Sequence, residues 1–491
     1  WKAGPPAAKR CPTAAAASAA SSEAPASAAS WAGVAAGVAV AAAGRGRARG
    51  RRRSAAYLRL AACCRAAARG ADGRGAPEGL RVVLLGGAGR IGTAAAVHLL
   101  RNSPRRLELL LVGRDEARGR AAIEEVQEET AGFDGPSSGA AISFERLDWT
   151  APGALTSFLE RQRPDALLHT AGPFDGDLGA GVLQAAISAR VPAYVDVADP
   201  IEYLDAAKDL SGRASEAGTM ALLSAGAFPG LSNVLAVECA RRLCPAEGEA
   251  GVGEQIKDLD FAYFTAGLGG SGPVNLLITN LGFGEPVPVF RDGACAPQLI
   301  AGAEPRRVRF YNDEEDPAFK VVGERDVWSW PFPEAATVSR YLQISGDSNT
   351  GMGTAPGIWN TILVALVSLV PRDLWRERWF SEGLAWFSLP MVWVTDQFVS
   401  ETHAMRVRAS SQDGRECVAV QAHESFRRCV AQSSAEFLLD LLERRSGPEE
   451  EAWRPGVWLP EELADDGARR PQLLKRLTST EGTISCTFQT S

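Results

Sequence analysis

Four glycines between a short apolar run and an Ala-rich run are the residues of this 491-residue chain best suited to bind a dinucleotide. Gly87, Gly89 and Gly92 fit the spacing G-x-G-x-x-G, and Gly86 offers a second register, G-x-x-G-x-x-G. One glycine of such a loop permits the turn, another lets the backbone approach a pyrophosphate, and the last lets helix and strand pack closely. This spacing indicates a dinucleotide site only when a strand precedes it and a helix follows it.

Arg114 is the residue that would choose between NADP and NAD. It follows Gly113 at the end of a second apolar run, Leu107–Val112, where an NAD site usually has an acidic residue for the ribose hydroxyls. A guanidinium at this position can pair with a 2′-phosphate, so we expect NADP(H), with NADPH as the working cofactor. Asp115, one residue later, argues against this choice. Asp148, at the end of a third run, occupies the place where adenine contacts often lie.

Hydride transfer also needs a proton donor, and four side chains near predicted strand ends are candidates: Tyr194, Asp196, Asp199 and His169. We assign the catalytic role to Asp196 and Tyr194. A histidine inside an apolar strand is more often part of the core, and Asp199 can instead cap the helix that follows it. No metal site is expected, because no Cys or His spacing fits one.

The elements that would position these residues alternate along the chain. Six strand-like runs, each followed by a helix-like segment or a Gly-rich exit, extend from Arg81 to Gly230. This alternation predicts the α/β class, with a doubly wound parallel sheet of Rossmann type that binds ligands at the carboxyl ends of its strands. Residues 256–345 predict a mixed α+β domain, with strands at IKDLDFAYFTAG, NLLITNLG, PVPVFRDG, RRVRFYN and RYLQISG.

Four segments are expected from these patterns. They are a disordered targeting leader at 1–78, a Rossmann NADP-binding domain at 79–235, a mixed α+β substrate or dimerisation domain at 236–425, and a C-terminal helix and tail at 426–491 that pack back on the core.

Five motifs of the first half together resemble the saccharopine dehydrogenase-like family of NADP-binding oxidoreductases: GGAGRIG, VGR, AGPF, YVDVAD and GAFPGLSN. The resemblance implies a Rossmann domain followed by a mixed α+β domain that covers the nicotinamide. It also implies which residues bind the cofactor. Gly87, Gly89, Arg90, Ile91 and Gly92 would cradle the pyrophosphate, Arg114 would meet the 2′-phosphate, and Ala171, Gly172, Pro173 and Phe174 would line the nicotinamide end.

Charge and composition set the leader apart. Residues 1–78 contain 13 Lys and Arg but 3 Asp and Glu, whereas the whole chain has a net charge of −7. The acidic balance argues against a nucleic-acid partner. The leader is rich in Ala, Ser and Arg, and its apolar run Trp31–Gly44 is too short to span a membrane. We therefore expect a transit peptide to the plastid (chloroplast), with the mitochondrion as the alternative, and a longer leader than the one that begins at Trp1.

Residues 358–399 contain two apolar runs on either side of DLWRERWF. Neither run is long enough to cross a bilayer. One interpretation is a buried helix pair at the domain interface. The other is an apolar tunnel or a membrane-facing patch that serves a lipid, isoprenoid or pigment substrate, since Trp and Arg at this spacing suit an interfacial helix.

The function that these patterns favour is NADP(H)-dependent hydride transfer to an apolar small molecule, by a chain that forms a homodimer. Two alternatives remain open. One is a sensor or scaffold that binds NADP without turnover, because no strong catalytic constellation is visible. The other is a true saccharopine reductase, although the second half lacks an array of basic residues for its tricarboxylate substrate.

Overall fold

The computed structural model describes residues 79–244, 256–267, 273–296, 299–302, 305–446 and 453–491, so the predicted leader lies outside the described residues. Strands and helices alternate through the first half: β1 Leu80–Leu85, α1 Arg90–Asn102, β2 Leu107–Gly113, α2 Glu116–Glu129, β3 Ile142–Arg146, α3 Ala154–Gln162, β4 Ala166–His169, α4 Gly181–Ser188, β5 Ala193–Asp196, α5 Ile201–Lys208, α6 Ser211–Ala217, β6 Met220–Leu222 and α7 Leu231–Leu243.

The second half is richer in short strands. Its elements are β7 Ile256–Ala266, α8 Pro273–Gly282, β8 Pro286–Val287, β9 Phe290–Arg291, β10 Ala294–Cys295, β11 Leu299–Ile300, β12 Arg306–Arg309, α9 Pro317–Val321, β13 Glu324–Ser329, α10 Glu334–Leu342, β14 Ser348–Ala355, α11 Ile358–Leu369, α12 Arg372–Arg376, α13 Arg378–Asp396, β15 Thr402–Ser411, β16 Glu416–His423, α14 Phe426–Ser446, β17 Gly456–Trp458, α15 Pro460–Ala464, α16 Arg470–Thr478 and β18 Thr483–Thr490.

The first sheet has seven strands in the order β17-β6-β5-β4-β1-β2-β3, and every neighbouring pair is parallel. Its central strands are continuous apolar runs, as expected for a sheet that is covered on both faces. Val82, Val83, Leu84 and Leu85 of β1 are all fully buried. The predicted α/β class and doubly wound parallel sheet are therefore confirmed.

A mixed sheet follows, as expected. Its nine strands include the path β10-β9-β14-β7-β15-β16-β18, in which β14 and β7 are parallel and the other neighbours are antiparallel. The predicted strands at NLLITNLG and RYLQISG are wrong, because the first run lies in α8 and the start of the second ends α10. Short apolar runs of this kind fit the buried face of a helix as well as a strand.

The C-terminal segment completes both sheets. β17 adds the seventh strand of the first sheet, beside β6, and β18 pairs with β16 in the second. β17 is only three residues long and follows Pro455, so it is too short to show the alternation of apolar and polar residues that predicts a strand. The sequence therefore did not predict this seventh strand. The expected C-terminal helix is α14, and its residues Cys429–Leu442 are buried all round rather than on one face.

Helices α11 and α13 lie at the surface. Ten large apolar side chains between Ile358 and Phe398 are more than a third exposed, so the interpretation of a buried helix pair is wrong. The opposite faces cover a small core formed by Phe283, Val287, Trp375 and their neighbours. Within the described part of the chain, no helix combines the length and the apolar character needed to cross a membrane.

Candidate functional site

The glycine loop is a tight turn between β1 and α1. Gly86 has φ +84°, a left-handed conformation that glycine adopts without strain. Its N–H donates to the Val112 carbonyl at 2.9 Å, and the Gly89 N–H donates to the Gly86 carbonyl at 2.8 Å. The backbone therefore folds sharply at the end of the central strand, where a parallel sheet binds its ligands.

Three of these glycines have no room for a side chain. A Cβ on Gly86 would lie 2.7 Å from the Ala171 nitrogen, and one on Gly87 would lie 2.8 Å from the Leu84 carbonyl oxygen. A Cβ on Gly92 would lie 2.7 Å from the Gly87 Cα and closer still to the Gly86 carbonyl oxygen. These contacts are with backbone, which cannot move aside as a flexible side chain would. The loop thus has the close-packed form that a pyrophosphate cradle requires.

The first turn of α1 is open to an anion. Its N-cap residue, Gly89, has no side chain that could accept from the helix, and the turn contains no acidic residue. The N–H groups of Ile91 and Gly92 therefore lie in the first turn of the helix, where the helix itself supplies no acceptor. Together with the helix dipole they suit a phosphate.

Arg90 has charged neighbours from the second half of the chain. Burial and the nearby Arg427 guanidinium lower the pKa of Arg90, whereas Glu401 and Asp396 favour its charged form. Asp396 is the last residue of α13. The phosphate loop is therefore in electrostatic contact with the end of the exposed helix α13 and with the segment that follows it.

Arg114 and Asp115 differ in their contacts, and the pairing of Arg114 with a 2′-phosphate stays a prediction. Asp115 caps α2, because its Oδ1 accepts from the N–H groups of Ala117 at 2.9 Å and Arg118 at 3.1 Å. Arg114 is exposed, and no hydrogen bond or ion pair joins its guanidinium to the described residues. The acidic residue is thus occupied by its own helix, while the cation is open to a 2′-phosphate.

Asp148 lies beside Arg114 at the next strand end. Hydrogen bonds from Thr150, chiefly its hydroxyl at 2.6 Å, lower the pKa of Asp148, and the positive charge of Arg114 adds to this effect. Both side chains are exposed. The structure therefore brings these two predicted cofactor residues to the same edge of the first sheet.

The AGPF segment follows β4 and adjoins the glycine loop. Thr170 donates its N–H to the Leu85 carbonyl at 2.8 Å, so Ala171 and Gly172 lie directly beside the end of β1. Phe174 is almost buried, and its ring lies 4.7 Å from that of His169. Pro173 precedes it at the start of a short 3-10 turn. The residues predicted for the nicotinamide end are thus brought next to those predicted for the pyrophosphate.

His169 lies among aromatic rings and is neutral. Trp149 contacts it edge-on at 5.8 Å, and burial lowers the pKa of His169 to about 3. Its Nδ1 accepts from the Ala171 N–H at 3.3 Å. This histidine therefore holds the backbone of the AGPF segment.

Asp196 and Tyr194, the predicted catalytic pair, belong to a buried network with Tyr203. Asp196 Oδ2 accepts from Tyr203 at 2.7 Å and Tyr194 at 3.1 Å, while its Oδ1 accepts from the N–H groups of Ser224 and Ala198. Burial raises the pKa of Asp196 to about 6 and raises those of both tyrosines. All three side chains are fully buried. The geometry gives Asp196 a positioning role at the exits of β5 and β6, and its catalytic role stays a prediction.

A second buried cluster, which we did not predict, joins three parts of the chain at the start of α7. Ser232 donates to Glu334 Oε1 at 3.0 Å, and Tyr263 donates to the same oxygen at 2.7 Å. Asn233 donates to Glu461 Oε2 at 2.7 Å. Burial raises the pKa of each glutamate to about 7, and the charge of Glu461 contributes to the shift at Glu334. In the sequence each glutamate follows a proline and looks like an ordinary first-turn residue of a helix, so only the motif GAFPGLSN pointed to this place.

Aromatic rings meet between the two sheets. Phe228, after β6, stacks on Tyr263 at 4.2 Å and lies 5.0 Å from both His403 and Phe426. Phe332 contacts it edge-on at 5.1 Å. Burial lowers the pKa of His403 to about 3, so its ring is also neutral. The side chains that surround Phe228 between the two sheets are thus mostly aromatic, and the Glu334 carboxyl lies next to them, bonded to Tyr263.

Comparison with known proteins supports the assignment of the first domain. The family model for the saccharopine dehydrogenase NADP binding domain matches residues 82–222. Among solved structures, apo saccharopine dehydrogenase (L-Glu forming) from Saccharomyces cerevisiae is 13% identical, with a TM-score of 0.53, and the match covers 84% of this chain and 100% of that one. At this identity the match shows the fold.

A UDP-glucose-4-epimerase from Stenotrophomonas maltophila is 21% identical over 24% of this chain and 36% of that chain, with a TM-score of 0.20. No match was found among curated protein sequences. The family match confirms NADP(H) as the cofactor and the resemblance noted in the sequence.

Proposed function

We propose, on the premise that residues 82–222 are a saccharopine dehydrogenase-type NADP-binding domain, that this chain is an NADPH-dependent reductase of an apolar substrate. The domain places the chain among NADP-dependent oxidoreductases in general. NADPH supplies a hydride from C4 of its nicotinamide, so the protein has to bind, orient and exclude water. The apolar substrate is the finer part of the proposal.

Cofactor binding assigns a task to each predicted residue. Gly86, Gly87, Gly89 and Gly92 give the pyrophosphate room, and the backbone N–H groups of Arg90 and Ile91 face it. Arg114 would pair with the 2′-phosphate, and Asp148 would contact the adenosine end. Ala171, Gly172, Pro173 and Phe174 would border the nicotinamide, because they adjoin the glycine loop at the next strand end.

The observation that carries the apolar substrate is the aromatic junction around Phe228. A tricarboxylate amino acid needs cations in its pocket. Here the second domain instead presents Tyr263, Phe332 and Phe426, together with His403 in its neutral form, next to the β6 exit. These side chains are largely buried against one another, and a pocket that opened among them would suit an apolar ligand with few polar groups.

Turnover with isotope transfer tests this proposal. The full chain is mixed with NADPH deuterated at C4 and with detergent-dispersed long-chain ketones and enals, or with a plastid lipid extract. We expect NADPH loss and deuterium in a lipid product. Saccharopine with NADP⁺ is the comparison substrate. Turnover of saccharopine but not of the apolar compounds would establish the saccharopine enzyme instead, and tight NADPH binding with no turnover of either would favour a sensor or scaffold.

Two further parts of the proposal concern the surroundings of the enzyme. The composition of residues 1–78 supports import into a plastid, which a fluorescent fusion of the leader tests against the mitochondrion. Peripheral contact of residues 358–399 with a membrane is supported by the exposed apolar side chains of that segment. A homodimer stays a prediction, and sedimentation of the purified chain at several concentrations tests it.

A further inference from the structure

The exposed face of α11 and α13 is unusual for a protein surface. On α13, Trp379, Trp386 and Trp393 recur every seven residues, and each is at least 53% exposed. Residues seven apart lie on one side of a helix, so the indoles form a single stripe. Phe387 and Val394 widen the stripe. A surface helix of a soluble protein normally has polar residues on this side.

The neighbouring helix extends the same face. Ile358, Ile362 and Leu369 of α11 are 64%, 40% and 81% exposed, and α11 contains no charged residue. The Trp359 indole of α11 donates to the Thr395 hydroxyl of α13 at 3.3 Å, which ties the two helices together. Isolated exposed apolar residues are normal, but a stripe of large ones along one helix, joined through Trp359 to a second apolar helix, is typical of an interaction surface.

We propose that this face of α11 and α13 docks on a lipid bilayer, into whose interfacial layer its tryptophans insert. The proposal rests on the proposed function, since it names the source of the apolar substrate. Tryptophan is enriched where bilayer and water meet, and neither helix is both long and apolar enough to cross a bilayer. Charged residues gather at one end of the face, at Arg372, Asp373, Arg376, Glu377 and Arg378, where head groups and water would lie.

The hydroxyls on these helices are bonded within their own helices, as an apolar surrounding would require. Ser368 donates to the Val364 carbonyl at 2.8 Å, and Thr395 donates to the Met391 carbonyl at 2.9 Å. Ser388 donates in the same way to Ala385. Protein interfaces exchange hydrogen bonds across the contact, whereas hydroxyls in an apolar medium bond to their own helix. With these donors already engaged and no charge on residues 383–395, the face offers little to a second copy of the chain.

The position of α13 connects the docking face to the cofactor site. Its last residue, Asp396, acts on the charge of Arg90 in the phosphate loop, as does Glu401 a few residues later. A substrate that leaves the bilayer along α13 would therefore reach the edge of the first sheet where the cofactor residues lie.

Co-sedimentation with vesicles tests the docking face without any need for turnover. The full chain is spun with pure phosphatidylcholine vesicles and with vesicles that also contain phosphatidylglycerol, at low and high salt. We expect binding to both, and binding that persists at high salt, because the face is apolar rather than charged. Quenching of tryptophan fluorescence by brominated phosphatidylcholine should accompany it.

Matched variants make the test specific. The double variant Trp386→Glu/Trp393→Glu should lower the vesicle partition coefficient by at least about tenfold. Val321→Glu, at a position that is 45% exposed on α9 and away from this face, should leave it unchanged. NADPH affinity should be the same in all three proteins, which shows that each variant is folded.

Three outcomes would overturn the docking proposal. They are no binding to vesicles, equal binding by the double variant, and a lipid-free dimer that the double variant abolishes. The proposed function fails separately, when the chain binds vesicles and NADPH but transfers no deuterium to any lipid. Conversely, turnover of detergent-dispersed substrate without vesicle binding would support the proposed function and refute the docking proposal.

Discussion

Ser232, at the start of α7, donates a 3.0 Å hydrogen bond to the fully buried carboxyl of Glu334 on α10. The first residue belongs to the exit of the Rossmann domain and the second to the mixed domain. Because Tyr263 donates to the same oxygen and Asn233 holds Glu461 nearby, the junction of the two domains is built on two buried carboxyls. Burial of such groups favours their protonated forms.

The contribution of these protonated carboxyls is complete below about pH 4.5, so stability should fall as pH rises through about 7, and Glu461→Gln should weaken this dependence. The pKa of Glu461 is raised to about 7 from 4.5, so between pH 6.5 and 8.5 the folded state loses a proton that the unfolded state has already lost. That difference costs about 1 kcal/mol for one such group. The buried histidines do not oppose it there, since their lowered pKa values affect stability only below about 6.5.

Urea unfolding of the wild type, Glu461→Gln and the exposed control Glu128→Gln across this pH range measures the effect. Glu334 still titrates in the first variant, so the slope should shrink rather than vanish. A slope that is the same in all three proteins would show that Glu461 does not bind the proton.

Arg114→Asp should reverse the cofactor preference. Loss of a charge-assisted contact to the 2′-phosphate costs about 1.5–3 kcal/mol, so the Kd of NADPH should rise about ten- to a hundredfold. The Kd of NADH should change little, since NADH has no 2′-phosphate. Fluorescence titration with both cofactors measures the ratio, with Arg120→Asp on the exposed side of α2 as the control. An unchanged ratio of the two Kd values in Arg114→Asp would show that Arg114 does not contact the 2′-phosphate.

Gly92→Ala should weaken NADPH binding because its Cβ would meet the backbone of Gly86 and Gly87. The loop has to open to admit it, at a cost of about 1–3 kcal/mol in stability and at least about tenfold in NADPH affinity. Gly212→Ala on α6, where nothing lies within 4 Å of the added carbon, is the matched control and should bind NADPH normally. Calorimetric titration of both variants decides the point, and wild-type affinity in Gly92→Ala would contradict the close packing of the loop.

Asp196 can be tested for positioning against catalysis by two substitutions. Asp196→Ala leaves two backbone N–H groups and two phenols without their acceptor, so we expect a loss of about 2–4 kcal/mol. Asp196→Asn keeps an oxygen toward the backbone and should recover most of that stability. We expect the Asn variant also to keep kcat/KM within about threefold, because the wild-type Asp196 side chain positions the strand exits and the Asn side chain can still do so.

Thermal unfolding and NADPH turnover, measured on both variants, separate the two roles of Asp196. A folded Asp196→Asn protein that has lost turnover would instead support the proton-donor role that the sequence suggested.

The sequence by itself determined the features that depend on local spacing. The glycines after β1, the cation after β2 and the alternation of strands and helices are each set by neighbours within about thirty residues, because a βαβ unit is local. Those features were enough to predict the sheet class and the NADP choice. Asp115 is one example in which the structure removed an ambiguity, by using the carboxylate as a helix cap.

Tertiary structure alone decided what lies between distant segments. Glu334 and Glu461 are separated by more than a hundred residues and become partners of Ser232 and Asn233 only when α10 and α15 pack on α7. Likewise, an apolar run has the same pattern whether its helix is buried or exposed, and only the packing of α11 and α13 on a small core left their tryptophan face outside. Burial is a property of the whole fold, so neither the buried carboxyls nor the exposed indoles could be assigned from the residues alone.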